Sequence, residues 1–202
     1  MWRWLSHNHQ TLTGIGAMLV GIAALFVAWD QGRVMRAQQH GAVYPIVQID
    51  GYMSSGNERF SIGVGLRNAG VGPAIVESVE LLRDGESVPD FGPLVEVLPP
   101  GANINWSSMV GRVLAAGDEV RPGDFLWAAD AMTPEGQARL LEEWARWGMR
   151  ACYCSVFDRC FLVDTNARAG RPEPVRQCAR PETDPFEQLR TATPGPASPE
   201  EG

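Results

Sequence analysis

The chain has 202 residues, room for one membrane anchor and one compact domain. Its 17 basic residues against 24 acidic ones leave a net charge of −7, which argues against a nucleic-acid binder, since that role needs a basic face to neutralise phosphates. All 17 are arginine, so a phosphate-loop lysine, a Schiff-base lysine and a kinase-type lysine are excluded.

The three histidines, His7, His9 and His40, all flank the first apolar segment. From Gly41 onward there is no imidazole to serve a Ser-His-Asp or Cys-His relay, or the usual zinc hydrolase site. No catalytic, cofactor-binding or metal residue is therefore expected, and no cofactor. The arginine-only usage, with abundant Ala, Gly and Pro, points to a bacterial genome of biased base composition.

Between Arg3 and Asp30 no side chain carries a fixed charge. The stretch Leu12 to Trp29 is 18 residues long, and as a helix it spans roughly 27 Å, close to the hydrocarbon thickness of a bilayer. Trp2, Trp4 and Trp29 bracket it at headgroup level. A cleaved signal peptide would have a shorter apolar stretch and a small-residue cleavage pattern, which Phe26-Val-Ala-Trp-Asp30 does not offer. A buried core helix would carry polar residues on one face, and this segment has none. Ala17, Gly21, Ala24 and Ala28 share one helical stripe that would let two anchors approach closely, although compositional bias produces the same pattern. Arg3 and the terminal amine on one side nearly balance Arg33 and Arg36 on the other, so the positive-inside rule leaves the orientation open.

Gln31 to Gly41 reads as a continuing helix or a short spacer. The pattern then changes to period two. Strands are expected at Tyr44–Tyr52, Arg59–Leu66 and Ala74–Leu82, the last ending at an Asp84-Gly85 hairpin turn. Shorter candidates follow at Leu94–Leu98, Asn103–Met109, Gly111–Leu114 and Phe125–Ala129. Thr133 and Pro134 open a helix with Leu140, Leu141, Trp144 and Trp147 on one face and Arg139, Glu142, Glu143 and Arg146 on the other. The predicted ion pairs along it are Arg139–Glu143 and Glu142–Arg146. Met149 to Val163 reads as a hairpin turning near Phe157-Asp158-Arg159. Asn166 to Gly202 holds seven of the fifteen prolines and too few large apolar residues to offset the entropy of ordering. Within it, Asp184 could cap a short helix that brings Phe186 and Leu189 together, as a docking segment or as a fortuitous match.

The pattern predicts a mainly β chain, an antiparallel Ig-like β-sandwich with one amphipathic helix, preceded by a single transmembrane helix. Its divisions are a polar lead-in at 1–11, the transmembrane helix at 12–29, a juxtamembrane spacer at 30–41, the sandwich at 42–165 and a Pro-rich, mostly disordered tail at 166–202.

The segment Leu66-Arg-Asn68-Ala-Gly70-Val-Gly72-Pro73-Ala74 resembles a turn in uncharacterised bacterial single-pass membrane proteins. Gly111-Arg-Val-Leu-Ala-Ala-Gly117-Asp-Glu-Val and the Tyr153-Cys-Ser155-Val-Phe hairpin fit the same pattern. The resemblance spans roughly residues 10 to 165 and implies an N-terminal helix followed by a sandwich-like domain, without an activity. Physically, Gly70 and Gly72 permit positive φ and Asn68 can bond the turn's backbone.

Two chemistries remain. Asp118, Glu119, Asp124 and Asp130 are carboxylates of the kind glycosidases pair, but solvated turns explain them more simply. Gly63-Val-Gly65 sits inside a strand and is no phosphate loop. Cys152, Cys154 and Cys160 crowd one hairpin, with Cys178 in the tail. A three-residue turn would set Cys154 opposite Cys160. Structural disulfides, free thiols and a four-thiolate metal site all stay open.

The expectation is a membrane-anchored, non-enzymatic interaction or structural module of the bacterial inner membrane. It would contact the bilayer and an unidentified protein partner, with a homodimer through the anchor as an option and no nucleic acid. The rival is a thiol-based redox or metal-binding envelope protein using the Cys152–Cys160 hairpin.

Overall fold

The computed structural model describes residues 9–56, 58–167, 172–179, 181, 183–192 and 194. Residues 1–8, with Trp2, Trp4 and most of the polar lead-in, lie outside that set. The chain forms two units, divided between Ala42 and Val43.

The first unit is one helix, α1 (His9–Ala42). Its stretch Thr13–Arg36 is long and apolar enough to cross a membrane, and none of it is buried. The spacer expected at 30–41 continues the same helix to Ala42, because no proline interrupts it and isolated glycines only weaken a helix.

The second unit is two antiparallel sheets. Its strands are β1 (Val47–Ser55), β2 (Arg59–Asn68), β3 (Ala74–Arg83), β4 (Glu86–Val88), β5 (Asn103–Trp106), β6 (Val113–Leu114), β7 (Glu119–Ala128), β8 (Trp147–Cys154), β9 (Cys160–Asp164) and β10 (Glu173–Val175). One sheet has the order β1-β2-β7-β5; the other is β10-β9-β8-β3-β4, with β6 also on β3. Alternation along each strand sends one set of apolar side chains inward. Ile62, Leu66, Val76, Leu81, Phe125, Met149 and Tyr153 meet between the sheets, each almost fully buried.

Local signals fixed several elements as expected. Asp84 and Gly85 both take positive φ, at 55° and 83°, the conformation a two-residue hairpin turn requires, and Arg83 pairs with Glu86 across it. The helix α3 (Pro134–Trp144) begins at Thr133, whose hydroxyl accepts a hydrogen bond from the Gly136 amide. It seals one edge of the sandwich, burying Leu140 completely and laying the Trp144 ring against Gly51 of β1.

Other expectations are corrected. Leu94–Leu98 is not a strand: Gly92–Val95 forms a short helix, α2. Asp90 accepts from the Gly92 amide, Pro93 suits the first turn, and Leu94, Val95 and Leu98 bury one face. β7 begins at Glu119, well before Phe125; the register with β2 shifts between Val64 and Leu66, and this irregularity accommodates Pro122, which has no amide to donate. Trp147 belongs to β8, not to the helix. Glu143 faces inward, so the helical pair Arg139–Glu143 gives way to a bidentate pair with Arg83 at 2.7 and 2.9 Å. Arg146 bonds Asp84 and, three residues back, Glu143.

Gly70 and Gly72 are also glycine for a different reason than the sequence suggested. Neither is among the residues with positive φ. A Cβ on Gly70 would collide with the Ile46 amide nitrogen, and one on Gly72 with the Val43 carbonyl oxygen. The turn runs hard against the start of the domain. Asn68, fully buried, holds it there: its amide donates to the Gly72 and Leu114 carbonyls and its oxygen accepts from the Ile46 and Gly70 amides.

Candidate thiol site under the C-terminal strap

Period-two geometry places Met149, Ala151 and Tyr153 of β8 in the core and leaves Arg150, Cys152 and Cys154 on the outer face. Tyr153 accepts a hydrogen bond from the Val47 amide at 3.1 Å, and burial pushes its phenol up to about 12. Neighbouring strands supply matching rows on the outer side. Arg150 stands between Glu80 of β3 and Asp164 of β9 and bonds both, at 2.7 and 2.9 Å. These bonds raise the guanidinium's pKa, that to Asp164 most of all.

Two rows further, Cys154 is directly opposite Cys160. Ser155 closes the turn between them, its amide donating to the Arg159 carbonyl and its hydroxyl accepting from the Phe157 and Arg159 amides. The sulfurs of Cys154 and Cys160 lie at bonding distance, 2.05 Å, the bridge the hairpin geometry suggested.

The second bridge joins Cys152 to Cys178, at 2.02 Å. It depends on a segment whose composition suggested disorder. Residues 172–179 and 183–192 instead form a strap on the domain. β10 extends the sheet beside β9, with Val175 opposite Cys160. The chain then turns back to Cys178 and Asp184. Asp184 is buried and anchors the strap: one carboxylate oxygen accepts from the Ser108 hydroxyl and from the Met109 and Val110 amides, the other from the Phe186 amide. A 3-10 helix, Glu187–Thr191, follows. Phe186 packs near Phe91, at 5.5 Å between ring centroids, and is completely buried, as Leu189 nearly is. The prolines and the scarcity of large apolar residues told against order, but the strap is held by a few side chains more than by backbone pairing. Residues 168–171, 180, 182, 193 and 195–202 lie outside the described residues.

The result is a cluster of four sulfurs. Cys154 and Cys178, which belong to different bridges, have their sulfurs 3.8 Å apart. The sulfurs of Cys154, Cys160 and Cys178 all lie within 4.8 Å of one another. Cys152, Cys154 and Cys160 are buried, while Cys178 is only partly buried.

The other sequence candidates do not converge. Asp118 accepts from the Ala115 amide within its own turn, Glu119 pairs with Arg121 at 3.7 Å in the open, and Asp130 is exposed. Asp124 accepts a short hydrogen bond, 2.6 Å, from the Tyr52 hydroxyl. Burial, then Asp124, holds that phenol well above its ordinary range, and the Arg121 guanidinium covers the ring at 4.8 Å. Gly63 is the floor for this ring, since a Cβ there would meet the Tyr52 hydroxyl at 2.6 Å. In α1, Ala17, Gly21, Ala24 and Ala28 are exposed on their stripe, and no atom lies within 4 Å of where a Cβ on Gly21 would stand.

No family model, curated protein or solved structure matches this chain.

Proposed function

We propose that this chain is a membrane-anchored, non-enzymatic interaction or structural module of the bacterial inner membrane. The observation that carries the reading is how the domain's ionic groups are used. Arg83, Glu143, Arg146 and Asp84 fasten α3 to the β3–β4 hairpin. Glu80, Arg150 and Asp164 clasp three strands, and Asp184 pins the strap. Groups so engaged are poor general acids or bases, because a proton transfer would break a structural contact. The apolar helix supports the tether, and the Leu66–Ala74 turn supports kinship with bacterial single-pass membrane proteins.

We read the sandwich as Ig-like. The order β1-β2-β7-β5 corresponds to strands A-B-E-D of that fold, and β9-β8-β3-β4 to G-F-C with the additional C′ strand. By analogy, such domains commonly serve as adhesion or interaction modules. The test is carbonate extraction of native membranes followed by crosslinking and purification of the intact protein. Retention in the membrane with a reproducible protein partner supports the proposal. Release by carbonate, or a turnover activity in the absence of any partner, overturns it.

A second reading is favoured by the four converging sulfurs: a thiol-based redox or metal-binding envelope protein using the Cys152–Cys160 hairpin. Replacing Cys152, Cys154 and Cys160 with serine separates the two. Loss of stability alone speaks for bridges that only staple the fold; loss of a redox phenotype in a folded protein speaks for the thiol reading.

A further inference from the structure

Two disulfides in van der Waals contact are more than two staples. The Cys154–Cys160 bridge has both residues buried, so a reductant in solution has poor access to it. The Cys152–Cys178 bridge has its Cys178 end only partly buried, on the strap. The Cys178 sulfur also lies 3.8 Å from that of Cys154, so little more than a side-chain rotation separates its present partner from the next one. Both candidate partners are on β8, two residues apart, and therefore on the same face. β10, hydrogen-bonded to β9, and the Asp184 anchor hold the strap on either side of Cys178, keeping its sulfur local whichever bond it makes.

We propose that Cys178 is a shared partner, exchanging between Cys152 and Cys154, and that the four cysteines form a thiol–disulfide exchange site for an external dithiol. This deepens the thiol reading above and rests on it.

A thiolate of the dithiol attacks the Cys178 sulfur, the accessible end, and Cys152 leaves as a thiolate. The second thiol of the reductant resolves the mixed disulfide, so the reductant departs oxidised and Cys178 becomes a thiolate. That thiolate attacks the neighbouring Cys154 sulfur; the Cys154–Cys160 bond breaks and Cys160 leaves. Two electrons have entered, the two protons shed by the dithiol end on Cys152 and Cys160, and one bridge remains, Cys154–Cys178. Exchange of this kind requires a thiolate, an accessible sulfur and proximity. The partial exposure of Cys178 and the 3.8 Å approach supply the last two.

The test uses the full chain, purified in detergent, and dithiothreitol as the dithiol. After treatment with one equivalent, the protein is acid-quenched, alkylated and its bridges mapped by mass spectrometry. A Cys154–Cys178 bridge with Cys152 and Cys160 alkylated is the expected product. Opening of Cys152–Cys178 alone, with the hairpin bridge intact, overturns the exchange. In Cys160→Ala, where Cys154 has lost its partner, Cys178 should distribute between Cys152 and Cys154, each pairing above about a tenth of the molecules. Exclusive Cys152–Cys178 pairing in that variant also overturns it. Four thiols alkylated in native membranes before any reductant would instead rule out the bridges themselves and with them the exchange, an outcome distinct from bridges that are present but do not exchange.

Discussion

Asp184 shows how much one carboxylate can organise. It gathers three donors from the Ser108–Val110 turn and one from its own segment, in a site almost closed to water. Asp184→Ala leaves buried amides without acceptors, and the expected loss is about 3 kcal/mol, measured by urea denaturation. Glu143 is held below its ordinary 4.5, chiefly by the Arg83 hydrogen bonds and also by Trp147, against an opposing effect of burial. Asp84, bonded to Arg146, is lowered as well. A depressed carboxyl stabilises the fold fully above the ordinary carboxyl range, and that contribution is lost as pH falls through the folded-state value. Stability should therefore decline as pH falls below the ordinary carboxyl range, and Glu143→Gln should flatten that decline while lowering stability at neutral pH. An unchanged acid limb in the variant would assign it to other carboxylates.

Elements divide by whether their cause is local. The Asp84-Gly85 turn, the Thr133 cap and the Cys154–Cys160 hairpin were legible because each is decided within a few residues. Leu94–Leu98 was misread because a short apolar run has no distinguishing period; burial against the sheets made it a helix. The start of β7 was hidden by Pro122, which a register irregularity tolerates. The strap was legible only at the Asp184-Phe186-Leu189 docking segment; the rest was missed, since its order comes from contacts with Ser108–Val110, Phe91 and Cys152, all distant in sequence. Phe186→Ala should lower stability by about 3–5 kcal/mol, measured by thermal unfolding; a near-neutral result would mean the strap contributes little to the core. For α1, the stripe Ala17, Gly21, Ala24 and Ala28 predicts that Gly21→Leu weakens self-association in a membrane two-hybrid assay by about tenfold. An unaltered signal would remove α1 as a dimer contact.

At the scale of the whole molecule, the two-unit organisation and the β-sandwich could be read from the sequence, because both follow from periodicity and charge. The pairing of Cys152 with Cys178 could not: four cysteines allow three connectivities, and only the path of the strap selects one. Bridges of this kind persist in oxidising compartments. A C-terminal reporter active only outside the cytoplasm should therefore be active when fused to the full chain, and activity of a cytoplasmic reporter instead would place the domain on the reducing side.

Phe186 and Leu189 are core residues that leave the ribosome after every strand of both sheets. Translation proceeds from the N-terminus, so α1 is complete long before the space beside Phe91 can be filled. Until the last pieces arrive, the nascent sandwich presents an open apolar seam to its surroundings.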